Sequence, residues 1–311
     1  MTQRSLHFEN VPEIATLGNN HSLHYADHWL SRIGLSTVPY VPGCDAPIVL
    51  VAGAQDVEAG AKPIKVMLWD FHTDMPGTGL QAAAASGICW VLGNPGQAPL
   101  ALPLDMPEKW CGLTAANIVL ALLLDLELRG TIDSKSPSVH RYDVSAADVL
   151  RCFADQNADH EALKDAVLPS SLWRRNGSVA VDHGGIFPQG FYPCRDGWVG
   201  VIGRSRRDWK AIRAVIGDPA WANDTAYQDP FALALQPGDA DRLFAASLLQ
   251  FDRDDLLARS IELGATIAPV YNTLELASRD VVRQDFFDAQ GNASLPFEIF
   301  PHHGEAVGAQ T

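Results

Sequence analysis

Pro47-Ile-Val-Leu-Val-Ala52 and Ile64-Lys-Val-Met-Leu-Trp69 decide the fold. Both are short apolar runs rich in β-branched residues. A strand with one wet face alternates apolar and polar side chains. A run without alternation is covered on both faces, as in a parallel sheet flanked by helices. Upstream, residues 24–34 read as an amphipathic helix closed by Gly34. Downstream, a glycine-containing turn between Met75 and Gly79 leads into an alanine-rich helix from Leu80 to about Ser86. Strands alternating with helices predict an α/β layer architecture.

Further along lies a proline-rich segment from Gly93 to Pro107, then residues 112–129, apolar on nearly every side. A helix of that kind belongs inside a protein, with neighbours all round. Residues 130–145 are polar, contain Pro137 and read as a linker; helical patterning resumes at 146–167. The Asp196-Gly197 pair predicts a turn into a strand from Trp198 to Ile202. Helices are expected at 206–216, 239–249 and 253–263, the last ended by Gly264. A short strand at Ala268–Tyr271 and a helix at 273–289 follow, then an irregular tail. The second half thus carries its own strand–helix pattern and is expected to form a second, smaller α/β domain.

The chain has 311 residues, and 23 Lys and Arg against 37 Asp and Glu give a net charge of −14. Phosphate backbones want a basic face, so nucleic acid is not the expected partner. With 47% apolar and 19% charged residues the chain is not disordered. Five widely spaced cysteines without C-x-x-C read as reduced thiols of a cytoplasmic protein. The first ten residues carry charges and no apolar core of a secretory signal. The run Leu113–Leu128 is interrupted by Asn117, Asp125 and Glu127, too short and too broken for a bilayer span.

Several polar groups invite chemistry. His21, His24 and His28 share a helical face, but no H-E-x-x-H accompanies them, and a solvated first turn is the reading preferred. Asp70, His72 and Asp74 alternate just past a strand, where capping and loop polarity account for them. Gly77-Thr-Gly79-Leu-Gln-Ala82 fits G-x-G-x-x-A in outline; a plain turn is the reading preferred, and a backbone approach of Gly77 and Gly79 to a phosphate or thioester is the alternative. No G-x-S-x-G elbow, P-loop or C-x-x-C occurs. Asp105 and Glu108 lie in the proline-rich stretch that feeds the apolar helix. A carboxylate pinned there could cap the helix, or act as a nucleophile through a covalent acyl intermediate.

The downstream motifs bear on that choice. Gly185-Ile-Phe-Pro-Gln-Gly-Phe-Tyr-Pro-Cys-Arg-Asp-Gly-Trp-Val-Gly-Val-Ile202 resembles a segment of the class III CoA-transferases, the CaiB/BaiF family. Asp208-Trp-Lys210 through Ile216-Gly-Asp-Pro219, Gly264-Ala-Thr-Ile-Ala-Pro-Val-Tyr-Asn-Thr-Leu-Glu275 and Arg279–Gly291 resemble the segments that follow. Leu80–Gly87 is similar to one upstream, so the resemblance runs collinearly over about 64–300. It implies a Rossmann-like large domain, shortened here to 1–145, linker helices at 146–185, a small domain at 186–290 and a tail at 291–311, with two chains interlocked as a dimer. Only Ala26–Gly34 echoes the family's longer N-terminal half.

The resemblance further implies acyl-CoA and a small carboxylic acid as substrates, no metal, and a carboxylate that attacks the thioester. Asp105 is the first candidate; Glu108 is the alternative, because Gly112 follows it by the four residues usual in the family. Gly184 and Gly185 correspond to a glycine loop over the site. The family's CoA-contacting basic residues have no clear match; the cluster Arg204, Arg206, Arg207 and Lys210 reads either as cations for CoA phosphates or as a solvated helix start. Thr78 stands where racemase relatives carry histidine, which disfavours ordinary racemisation. The alternatives are a silent subunit paired with a longer family member, or other acyl-CoA chemistry on the same scaffold.

Overall fold

A computed structural model describes residues 11–55, 64–94, 96–103, 105–129, 141–155, 186–236 and 239–277. The chain forms two compact units. Of the described residues, one takes those within 11–86 and 102–154, the other those within 87–101 and 155–277.

The first unit is built on a parallel sheet of β1 (Ile14–Leu17), β2 (Thr37–Pro39), β3 (Ile48–Ala52), β4 (Ile64–Trp69) and β5 (Arg141–Ser145), in the order β2-β1-β3-β4-β5. Every residue of β3 is buried, and so is β4 apart from Lys65, as their unalternating sequences require. Val49, Val51, Met67 and Trp69 form one core face with Ala15 and Ala46. Helices α1 (His21–Arg32) and α3 (Met106–Arg129) pack on each other and on β4. Their crossing is close at Gly112: a Cβ there would come 2.6 Å from the Cβ of Tyr25 and 2.7 Å from the backbone of Ser22 and Ala26. Short α2 (Gly79–Ala85) and α4 (Ala146–Asp155) complete the described elements of this unit.

Several sequence expectations need correction here. The α/β class holds, and the parallel sheet runs in the order 2-1-3-4-5. Residues 141–145 are not linker: they form edge strand β5, whose polar Arg141 and Asp143 hide the strand pattern by pairing with each other at 2.8 Å. Residues 14–39, where only an echo of the family's N-terminal half was read, form a complete β1-α1-β2 crossover. Helix α3 starts six residues earlier than expected, since Pro107 is tolerated in a first turn whose N–H groups lack partners anyway. It is not enclosed on every side either: Leu113, Leu124 and Leu128 are 38%, 54% and 76% exposed. Met106–Leu128, with mean hydropathy 1.8, is long and apolar enough to cross a membrane, contrary to the sequence reading. Its first half is nonetheless packed in protein, with Glu108, Cys111, Ala115, Ala116 and Val119 buried.

The second unit carries an antiparallel sheet of β6 (Gln189–Cys194), β7 (Gly197–Ile202) and β8 (Ile267–Val270), in that order. Around it lie α5 (Arg206–Val215), α6 (Pro230–Leu235), α7 (Ala240–Leu248), α8 (Arg253–Leu263) and α9 (Thr273–Ala277). Strand β6 escaped the sequence reading because it holds Gly190 and Pro193, which an edge strand tolerates. The core is aromatic: Phe187, Tyr192 and Trp209 converge edge-on around Phe244, with ring centroids 5.0 to 6.0 Å away. Arg253, almost buried, joins α8 to the strands and α9 through Asp196 at 3.4 Å, Glu275 at 2.7 Å and the Val270 carbonyl at 3.0 Å. Gly264 ends α8 with φ +67°, as its position predicts.

Candidate active site

In a parallel sheet the carboxyl ends of the strands share one edge, and ligands gather there. Strand β4 delivers Asp70 to that edge. Its carboxylate accepts the N–H groups of Ser22 at 2.8 Å and His21 at 3.1 Å, so the start of α1 is tied to the end of β4. Asn20 caps α1 by accepting the Leu23 N–H and donates to the Leu68 carbonyl, both at 2.8 Å. Asp70 is thus a cap. Among the described residues no three His, Cys, Asp or Glu side chains are grouped to hold a metal ion.

The chain then turns into α2. The Thr78 N–H donates to Gln81 Oε1 at 2.9 Å, and the Gly79 N–H donates to Glu108 Oε1 at 2.7 Å. Glu108 lies in the first turn of α3, where a helix N-terminus stabilises negative charge. Its residue is only 7% exposed. The second oxygen, Oε2, is shielded from solvent and has no hydrogen-bond partner among the described residues. A buried carboxylate oxygen without a donor is costly, on the order of 1–3 kcal/mol for an unsatisfied polar group and more for a charged one. Glu108 is therefore half satisfied: one oxygen is held and the other is left over.

Asp105 lives differently. It precedes α3, its carbonyl accepts the Lys109 N–H at 3.0 Å, and its carboxylate pairs with Lys109 Nζ at 2.9 Å, with 33% of the side chain accessible. Burial pushes its carboxyl pKa up, but the hydrogen bond and charge of Lys109 outweigh that and hold it below the usual value. One turn beyond Glu108, the buried Cys111 thiol approaches the Val144 carbonyl at 3.4 Å. Burial pushes its pKa up to about 12, helped by the charges of Asp70 and Glu108. It stays a thiol and is not a nucleophile at neutral pH. Sequence reasoning overlooked Cys111, Ser22 and the Gly79 contact. The one signal available was Gly112, four residues past Glu108, which allows the α1–α3 crossing that buries this turn.

The other expected positions scatter. Gly77 is held by packing, for a Cβ there would meet the Cβ of Phe71 at 2.7 Å. The Gly79 amide, read as a donor to phosphate or thioester, is already taken by Glu108. Gly184 and Gly185 lie outside the described residues. Arg204 and Arg206 belong to the second unit. The Arg204 N–H donates to Asp208, while Arg206 pairs with Asp229 at 3.1 Å and lies over the Phe231 ring at 4.8 Å. The five cysteines are free.

Comparison with solved structures finds the same fold at low identity. A CaiB/BaiF family protein from Brucella suis matches with TM-score 0.66 and 14% identity, over 86% of this chain and 85% of that one. Rv3272 of Mycobacterium tuberculosis in its orthorhombic form matches with TM-score 0.67 and 14% identity, over 89% and 87%. A further structure of Rv3272, described as a hypothetical protein, gives 0.67 and 14% over 94% of each chain. No curated protein matches the chain. The profile of CoA-transferase family III matches residues 71–293, well over half of the sequence, and the chain belongs to that family.

Proposed function

We propose that the protein transfers CoA between an acyl-CoA thioester and a carboxylic acid, with Glu108 as the covalent carrier. Family membership supports CoA thioesters as substrates. The observation that carries the residue assignment is the half-satisfied carboxylate: Oε1 on the Gly79 amide, Oε2 buried and unpartnered. Asp105 is set aside because its carboxylate is already committed to Lys109.

The chemistry balances without a proton source or an oxidant. Glu108 Oε2 attacks the thioester carbonyl; the C–S bond breaks and CoA thiolate leaves, giving a glutamyl–acyl anhydride. The thiolate attacks the glutamyl carbonyl, expels the acyl group as its carboxylate and leaves a glutamyl-CoA thioester. The acceptor carboxylate attacks that thioester and releases the thiolate, which takes the new acyl group and frees Glu108. In the steps at the glutamyl carbonyl the developing charge falls on Oε1, which the Gly79 N–H already holds, the arrangement that lowers such barriers. Because Oε2 is shielded, substrate entry requires its surroundings to shift.

The exposed apolar side of α3, with Leu113, Leu124 and Leu128, supports a second copy of the chain as partner. Light scattering showing a monomer at micromolar concentration would remove that part of the reading. The function itself is tested by exchange of labelled carboxylates into acetyl-, succinyl- and benzoyl-CoA. The native protein is expected to exchange with at least one, and Glu108→Ala with none. Exchange that survives in Glu108→Ala, or none by the native protein, contradicts the proposal.

A further inference from the structure

We infer that Gly79 is the positioning residue of this transfer: the space left by its missing side chain is where the Glu108 carboxylate sits, and its amide decides which oxygen is free to attack. The inference rests on the reading of Glu108 as nucleophile and goes further by naming what aims it. A Cβ built on Gly79 would lie 2.1 Å from Oε2, 2.3 Å from Cδ and 2.4 Å from Oε1 of Glu108. The two groups cannot share that volume. The glycine is not demanded by the backbone, since Gly79 is absent from the glycines with positive φ and occupies the first turn of an ordinary helix. The tightest contacts of the built Cβ are not with main chain. Its three nearest atoms all belong to the end of one side chain, which can swing away. A methyl at 79 therefore evicts the carboxylate and spares the fold. Gly112 is the contrast, because its space is bounded by the backbone of α1. The independent sign that the carboxylate is aimed is Glu108 itself, more than nine-tenths buried with Oε2 unpartnered.

The expected result for Gly79→Ala is a fall in kcat of about a hundredfold, the scale of a misplacement near 1 Å. Tm should stay near native, because alanine is the better helix former, and KM likewise, because the change moves the nucleophile and not a substrate contact. Glu108→Asp, one methylene shorter, should lose the reach to the Gly79 amide and fall likewise. The decisive variant is the pair. In Gly79→Ala/Glu108→Asp the shorter carboxylate clears the methyl, and kcat should recover about tenfold over Gly79→Ala alone, a coupling expected only of groups in contact. Hydroxylamine trapping of the acyl-enzyme should follow the same order. Additive losses in the pair, native activity in Gly79→Ala, or a collapse of Tm in that variant each overturn the positioning role. If Glu108→Ala remains active, the failure lies instead with the nucleophile assignment.

Discussion

Glu108 and Asp105 stand three residues apart and do different things. One is buried on an amide, the other is paired with Lys109 near solvent. Glu108→Gln keeps the shape and removes the nucleophile, so exchange activity should drop at least a thousandfold, the scale seen when a covalent catalyst is deleted. Asp105→Asn loses only a partly exposed ion pair. Its urea midpoint should shift by less than about 0.5 kcal/mol of stability, and its activity should stay within twofold of native. Steady-state kinetics and urea titration on the two variants check both statements, and the reverse ranking would restore Asp105 as nucleophile. The sequence pointed to both carboxylates and put Asp105 first; the proposed mechanism reverses that order on burial and pairing, which the sequence does not show. Their difference in burial comes from the α1–α3 crossing and from Gly79, which lies 29 positions away along the chain.

Gly112 sets that crossing. A methyl there has no flexible neighbour to displace, being 2.7 Å from the Ala26 nitrogen and the Ser22 carbonyl oxygen. Gly112→Ala should destabilise the first unit by about 1–3 kcal/mol through overpacking, read as a lower urea midpoint. An unchanged midpoint would mean that α1 and α3 are not in backbone contact. Elements were legible where the residues agreed with their own surroundings. Strands β3 and β4 are apolar on both sides because both sides are covered, and α8 ends at a glycine that takes the left-handed turn. Strands β5 and β6 were not legible. Edge position lets β5 carry Arg141 and Asp143, and lets β6 carry Gly190 and Pro193, so neither shows a hydrophobic period. Helix α3 was read too short because Pro107 looks like a breaker, yet in a first turn it is not one.

At the scale of the whole molecule, paired aspartates among the described residues of both units contribute to the acid limb of stability. Asp143 is pushed up by burial but held low overall by Arg141 and Trp69, and Asp196 likewise by Arg253. Asp252 is lowered by the fork of Arg195. Their folded pKa values lie below the unfolded value of about 3.9, so their contribution is fully present above pH 4 and lost as the pH falls through the folded values. Asp241 runs the opposite way. Burial raises its pKa against the hydrogen bond from Tyr192, so its contribution is present in acid and lost as the pH rises. Among the described residues the four lowered carboxyls, Asp105 included, outnumber the raised one, and the urea midpoint should fall as the pH drops below 4; a flat profile there would contradict these pairings. The two-unit α/β organisation and the family were readable from the sequence as a whole. The strand order was not, since β1 and β2 are too short to announce themselves.

The most direct measurement is to incubate the native protein with an acyl-CoA that it exchanges, quench in acid, digest, and locate CoA by peptide mass spectrometry. The account predicts CoA in thioester linkage on the peptide bearing Glu108, released by hydroxylamine and missing from Glu108→Gln. CoA on Asp105, or turnover with no covalent adduct on any carboxylate, would contradict it.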